Sequence, residues 1–551
     1  MISIYLQNIE TKREYPYGTS LREIAEQENV PTEYSILGAL VSNKVRDMSY
    51  RIHKPVTIRF FDITSEYGMG MYSRSAYFML YKAVRDLMPG ANLKIMHSIS
   101  GGKYCELENC QEPLNEKIVS RLEERMRTLT AADLPFEREE LLTGEAMQIF
   151  EQHQLYEKID LFQDRGKIFT SVYRLQDAVN YYYGFLVPST NYVNVYKLEL
   201  YENGILLKLP SRYNPLQVGI TRKSPKLFSV YQSYKKWVSD IGVPYIRDIN
   251  RKIENGEIEE FIQISEAFHE KQIANLADEI HRKTTIKMVL MSGPSSSGKT
   301  TTCRRLSVQL GVLGYRPVQI SVDNFFVERE DTPKDEHGNY NFETIDAIDL
   351  QLFNITLNHL IQGEEVELPT FNFTTGKKEW HGKKIRMEPR SILVIEGIHC
   401  LNPRLTAQVD DAVKYKIFIS ALIPVSIDSQ NPIPTTDNRL IRRMIRDYQF
   451  RGYSALDTIR RWASVRSGEA KYIFPYQEQA DAMFNTSLIC ELGVLKQQAI
   501  PLLRDIPETA PEYAEARRLL KFLAFFKTIP EQSVPSGSIL REFVGGSLFR
   551  Y

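Results

Sequence analysis

The sequence has no long apolar run. Nothing in it approaches the roughly 18 consecutive apolar residues of a membrane-spanning helix, so none is expected. It also has no excess of either charge. Its 69 Lys plus Arg balance 69 Asp plus Glu, which argues against a protein whose main task is coating nucleic acid. A local basic site for phosphates remains compatible with that balance. Cysteine is scarce: Cys105, Cys110, Cys303, Cys400 and Cys490 form no CxxC pair and show no metal-ligand spacing with histidine. An odd number of scattered cysteines points to reduced thiols and a cytoplasmic location. The opening residues, MISIYLQNIETKREYPYG, alternate apolar and polar. They lack a basic segment followed by an apolar one, so no signal peptide is expected. There is no internal repeat and no low-complexity tract.

What is present is 551 residues, 43% hydrophobic and 25% charged, enough for several globular domains. Residues 1–62 read as a small β-rich module: Ile2, Ile4 and Leu6 alternate as a strand, and Ser20 caps the helix LREIAEQ. Two further strands follow at ALVSNKVRDM and PVTIRFFDI. Residues 63–265 mix helices (SRSAYFMLYKAVRDLMPG, EKIVSRLEERMRTLTAAD) with a hairpin turning at Glu202-Asn203-Gly204. Residues 266–285 read as a polar linker helix. Over 286–490 short apolar runs (IKMVLMS, RPVQISV, SILVIEG, VKYKIFIS) alternate with helical segments, the pattern of an α/β domain with a mainly parallel sheet. Residues 491–551 hold a helix, PEYAEARRLLKFLAFFK, and a Gly/Ser-rich tail around Ser533–Ser538 expected to pack on or cover a site.

The strand IKMVLMS runs into Gly293-Pro294-Ser295-Ser296-Ser297-Gly298-Lys299-Thr300, the GxxxxGK[ST] pattern. Gly293 and Gly298 permit the backbone angles that turn successive N–H groups toward a phosphate. The helix that follows adds partial positive charge at its start. Lys299 brings a full charge to the β and γ phosphates, and the Thr300 hydroxyl suits Mg²⁺. By chance this pattern arises about 0.02 times in a chain of this length. A Gly/Ser turn without a ligand is the plain alternative, and the flanking strand and helix speak against it.

Two acidic strand ends follow. Asp323 closes QISVDNFF, where ligands of open α/β sheets bind, and can accept the proton of an attacking hydroxyl. A turn cap is its alternative reading. Glu396 closes SILVIEG and suits Mg²⁺. Then Arg439, Arg442, Arg443 and Arg446 share one helical face, followed by Arg451-Gly452. Four guanidinium groups on one face repel unless anions lie opposite, and triphosphate neutralisation is a natural use. A solvated basic face is the alternative.

In this order, residues 286–490 resemble the uridine kinase and phosphoribulokinase group of P-loop kinases. GPSSSGKTT resembles its phosphate loop, with Thr301 included, and SVDNFF the strand bearing its catalytic base. GNYNFETIDAIDL resembles the segment that closes on ribose hydroxyls, with Glu343 where Asp is usual. LPTFNFTTGKK resembles its substrate segment, and DNRLIRRMIRDYQFRG its lid. The resemblance implies ATP and Mg²⁺ as cofactors, and Asp323, Lys299, Arg442 and Arg446 as catalytic. It implies that Arg439 and Arg443 contact ATP, and that Asp323, Phe326, Glu343, Phe371 and Arg451 contact the substrate. The segment Phe371–Lys377 lacks the family's base-reading His, and Phe326 stands where Tyr is usual. Phosphoryl transfer is thus implied more strongly than uridine.

Residues 1–62 resemble a TGS domain of β-grasp type, and 63–265 an α+β editing region of threonyl-tRNA synthetase. The synthetase's HxxxH, Cys and His positions are held here by Arg74, Phe78, Tyr182 and Leu186, none a metal ligand or base of the required kind. The implied activity is transfer of the ATP γ-phosphate to a nucleoside 5′-hydroxyl. A sugar-phosphate kinase of the phosphoribulokinase type is an alternative, as is an ATP-switched RNA-binding or regulatory protein. The expected partner is a small-molecule nucleoside. RNA contact would fall to the front half, although the charge balance does not favour it. No membrane partner is expected, and an oligomer is compatible with the sequence.

Overall fold

The computed structural model describes residues 1–163, 166–334, 338, 340–372 and 374–549, apart from the Lys383 side chain. Asn339 and Phe373, within two of the substrate segments above, lie outside the described residues.

The first unit is a five-stranded sheet with one helix. Strand Ile2–Leu6 pairs antiparallel with Thr11–Tyr15 and parallel with Val56–Phe61. The helix Leu21–Gln27 starts where expected. The Ser20 hydroxyl accepts the Glu23 N–H at 3.2 Å, and the Glu23 carboxylate accepts the Ser20 N–H at 2.7 Å. Ser42 and Asn43, at φ +46° and +56°, turn the chain between strands Gly38–Val41 and Lys44–Arg46. Ile4, Leu6, Leu21, Ile24 and Ile58 fill a small core of its own.

The second unit lays helices Glu66–Leu87 and Glu116–Ala131 beside a four-stranded antiparallel sheet that contains the expected hairpin, Lys197–Tyr201 with Gly204–Lys208. The linker helix expected at 266–285 is longer and more deeply packed than polarity suggested. It runs Ile258–Arg282 and buries Phe261, Ile262, His269, Ile273, Ala277 and Ile280. Its apolar residues recur at helical spacing beneath a polar outer face, and Arg305 of the neighbouring helix binds its Glu266 and Glu270.

The third unit carries a five-stranded, wholly parallel sheet. Its spatial order is Arg316–Ser321, Ser391–Glu396, Met288–Ser292, Lys414–Ser420, Ala482–Asn485. The central strands bury both faces, as their unbroken apolar runs require. Met288–Ser292 lies mid-sheet, and the consecutive strands Ser391–Glu396 and Lys414–Ser420 fall on its opposite sides. The loop leaving its carboxyl end therefore opens at the switch in strand order, where α/β sheets bind ligands. Helices Glu491–Arg504 and Tyr513–Leu523 pack on this unit and reach the second one, where the Phe525 and Tyr183 rings meet at 6.4 Å. One apolar core runs through both units and encloses the ion pair Lys158–Asp428 at 3.0 Å. No described helix is long and apolar enough to cross a membrane.

Candidate active site

The phosphate-type loop turns between strand Met288–Ser292 and helix Lys299–Val312 as the sequence requires. Gly298 sits at φ +82° and Ser296 at +57°. A Cβ on Gly293 would lie 2.4 Å from the Ile419 carbonyl oxygen of the adjacent strand, so no larger residue fits. Pro294, Ser296, Ser297 and Gly298 are buried, while Lys299 and Thr300 are half-exposed. The Lys299 ammonium donates to the carbonyls of Gly293 (2.9 Å) and Pro294 (3.1 Å), wrapping its own loop.

The two acidic strand ends converge beside it. Ser321 and Glu396 are partners across parallel strands, and the Ser321 hydroxyl donates to Glu396 at 2.9 Å. Asp323 follows in the turn Val322–Phe325. Burial first, and the Asp323 charge second, push the Glu396 carboxyl up to about 7, against the pull of Lys299. Glu343 is likewise pushed up to about 7, chiefly by burial, with Arg443 opposing. Glu343 packs against the backbone of Gly468, where a Cβ would lie 2.5 Å from the Glu343 Cβ. Phe326 and Phe371 are both buried, their rings 5.5 Å apart, and Phe342 stands edge-on to Phe326 at 5.8 Å.

The four arginines expected on one face do lie along helix Thr435–Arg451, and the anions opposite them are protein carboxylates. Arg439 pairs with Glu469, and its Nε donates to the Ser295 carbonyl at 2.9 Å. Arg442, fully buried, pairs with Glu491 and donates to the Thr486 carbonyl at 3.1 Å and the Ser296 carbonyl at 3.4 Å. Arg443 reaches the Ser295 hydroxyl at 2.8 Å. Arg443, Arg446 and Arg451 all approach Asp447, at 3.2, 2.9 and 3.8 Å. The neighbouring Arg446 charge and burial pull the Arg451 guanidinium down to about 10.

Asp447, Glu469, Glu491 and Glu542 escaped the sequence reading. Asp447 alone left a local trace, four residues after Arg443. The others come from separate helices, and no spacing signals them. Glu542 accepts from the Thr301 N–H at 3.2 Å and the Thr301 hydroxyl at 2.6 Å. In the front half, Phe78, Tyr182 and Leu186 are core residues, with the Phe78 and Tyr182 rings 5.7 Å apart. Arg74 donates to the Phe185 carbonyl at 3.0 and 2.9 Å.

A parallel sheet with this order, this loop at its switch point and an arginine-bearing helix over it define a P-loop kinase domain. Residues 288–489 match the model of the Phosphoribulokinase / Uridine kinase family. The chain is similar to the uridine kinase of Ligilactobacillus salivarius, with 28% identity over 225 residues, covering 40% of this chain and 93% of that protein. It is also similar to the uridine kinase of Chloroflexus aurantiacus, with 28% identity over 196 residues, 35% of this chain and 84% of that one. Over its N-terminal region it is similar to the threonine–tRNA ligase of Desulforamulus reducens, with 30% identity over 199 residues, 36% of this chain and 31% of the ligase. The chain thus spans about a third of the length of the ligases it matches.

Proposed function

We propose that this protein is an ATP-dependent kinase that transfers the γ-phosphate to the 5′-hydroxyl of a nucleoside. The observation that carries the reading is the convergence of Asp323 and Glu396 beside Lys299 at the end of the phosphate loop. A carboxylate placed to take a proton from a hydroxyl is what phosphoryl transfer to an alcohol requires, and a nucleotide switch has no use for it.

The donor set fits Mg²⁺. Two neighbouring half-buried carboxylates, one of them pushed toward its protonated form by burial first and by the other's charge second, are the environment a divalent cation relieves. Thr300 and Glu396 would hold the ion, with phosphate and water oxygens as further ligands. When bound, it would supply positive charge against the transferred group. Residues 293–301 cradle the triphosphate, with Arg439 and Arg443 at its flank. Arg442 fixes the loop from beneath through the Ser296 carbonyl, and Arg446 supplies charge near the transferred group. Asp323 takes the hydroxyl proton. Glu343, pushed up to about 7 chiefly by burial, is protonated in part near neutral pH and in that form can donate a hydrogen bond to a ribose oxygen. The Phe326 and Phe371 rings, tilted 58° to each other, give a base an apolar boundary, with Arg451 at the rim. The first two units serve as a scaffold on which the kinase unit packs.

The test is phosphoryl transfer from labelled ATP with Mg²⁺ to each ribonucleoside, deoxyribonucleoside and pentose phosphate in turn. Transfer to a nucleoside 5′-oxygen is expected. Transfer to a pentose phosphate alone would reassign the acceptor, and ATP hydrolysis stimulated by RNA without any labelled metabolite would replace the reading with a switch.

A further inference from the structure

The nucleotide cradle is already filled by the chain itself. Helix N-termini bind anions because their first N–H groups lack partners within the helix. Here Thr301, in the first turn after the loop, gives both its N–H (3.2 Å) and its hydroxyl (2.6 Å) to the carboxylate of Glu542. Glu542 is 8% exposed, although it lies within ten residues of the chain end. The Ser295 N–H, on the other limb of the loop, is given to Glu469 at 2.9 Å. Lys299 is turned back on its own carbonyls. Two carboxylates and a folded lysine therefore take up groups that a triphosphate would use.

The segment that brings Glu542 is a built structure. Its backbone closes on itself through the Leu548 N–H and Ser536 carbonyl at 2.9 Å. The Arg541 guanidinium ties it inward at the Glu531 carbonyl, 2.9 Å away. Ile539 lies on the loop, with its Cγ2 2.9 Å from where a Cβ on Gly298 would be. Phe543 lies 5.0 Å beneath the guanidinium of Arg442. Gln498 holds the Val544 carbonyl at 3.2 Å. The strap thus touches the loop, its helix and the lid helix together.

We propose that residues 533–549 form an autoinhibitory strap whose Glu542 carboxylate occupies a phosphate position at Thr301, so that ATP must displace it to bind. The inference rests on the nucleotide reading of the loop. A carboxylate and a phosphate oxygen repel each other at one N–H, so the two states exclude one another. Apparent ATP affinity is then the intrinsic affinity scaled by the fraction of molecules with the strap open. Removing the Glu542 charge removes two charge-assisted hydrogen bonds from the closed state alone. Because the strap also lies under Arg442, its release loosens the lid helix in the same step.

The test is ATP binding at fixed Mg²⁺ by the full chain and by Glu542→Gln, together with hydrogen exchange of residues 533–549 in the wild type with and without ATP. Glu542→Gln is expected to bind ATP about tenfold more tightly, and ATP is expected to speed exchange in the strap. Equal or weaker ATP binding by Glu542→Gln, or slower strap exchange on adding ATP to the wild type, overturns the strap while leaving the kinase reading intact. The exchange arm decides the matter even where the variant folds poorly. Failure of both proteins to bind ATP overturns the strap and the nucleotide site together.

Discussion

The front and back of this molecule fill their interiors in opposite ways. In the kinase unit, Asp323, Glu396, Glu343 and the lid arginines sit buried or half-buried in one network. Burying that much charge is costly unless each group finds a partner, and most of the energy goes into mutual pairing rather than net stability. In the threonine–tRNA ligase-like unit, three of the four positions that the resemblance pairs with the ligase's polar set, Phe78, Tyr182 and Leu186, lie in an apolar core, and the fourth, Arg74, donates to the Phe185 carbonyl. There burial is a direct gain. The back thus encloses paired charge, and the front encloses mostly apolar side chains.

The largest effect that would break the contrast is on turnover. Asp323→Ala should lower kcat by about 10²–10⁴-fold, the usual weight of a general base. ATP affinity should change little, because Asp323 lies outside the loop that holds the triphosphate. A matched fall in turnover and ATP affinity would mean that Asp323 serves nucleotide binding instead.

Next is the front half. Phe78 is fully buried against Phe136 (5.9 Å) and Tyr182 (5.7 Å). Phe78→Ala should cost about 3–5 kcal/mol in chemical denaturation. Because one core runs through the second and third units, the loss should appear as a single shifted transition, with ATP affinity unchanged in the folded protein. A cost under about 1 kcal/mol would show that the front packs loosely and is not a scaffold.

The third effect is a pH dependence. Glu396 sits at about 7 because burial and the Asp323 charge favour its protonated form. A cation favours the ionised form, so Mg²⁺ binding must expel the proton. Affinity for Mg²⁺-ATP should rise with pH up to about 7 and level off above it, and Glu396→Gln should remove the slope. Stability of the ligand-free protein runs the other way. The folded state holds a proton that the unfolded state has lost between the ordinary value of 4.5 and about 7, so stability falls as pH rises through that window. Calorimetry in two buffers of different ionisation heat reads the released proton, and no release on Mg²⁺-ATP binding would remove Glu396 from the metal site.

Much of this was legible in sequence because the evidence was local. The phosphate loop is eight consecutive residues, the parallel strands are short unbroken apolar runs, and Ser20 and Glu23 form a cap within four residues. The carboxylates that hold the arginines were not legible. Glu469 lies 30 residues from Arg439 and Glu491 lies 49 from Arg442, and pairing over such spans follows from tertiary packing alone. The depth of helix Ile258–Arg282 was understated for a related reason: its polar residues lie on one face and hide the apolar stripe from a reading by composition.

The smallest expected effect concerns how the first unit is attached. The second and third units share the interior pair Lys158–Asp428, closed to solvent on both sides. The first unit reaches the C-terminal extension through Lys44, whose ammonium meets Glu508 at 3.0 Å with the Glu508 side chain 63% exposed. Part of its interior is a small core of its own, while Leu37, Leu40 and Phe61 join the large core of the other two units. An exposed pair is screened by water and salt, and ordering two long side chains offsets most of its attraction. Lys44→Ala should therefore leave the thermal midpoint of the whole chain unchanged at moderate salt. Its one visible consequence should be faster hydrogen exchange across Gly38–Arg46 at low ionic strength. A clear fall in the midpoint would mean that the first unit is braced against the extension leading to the strap, and the division between a packed front and a chemical back would have to be redrawn to include it.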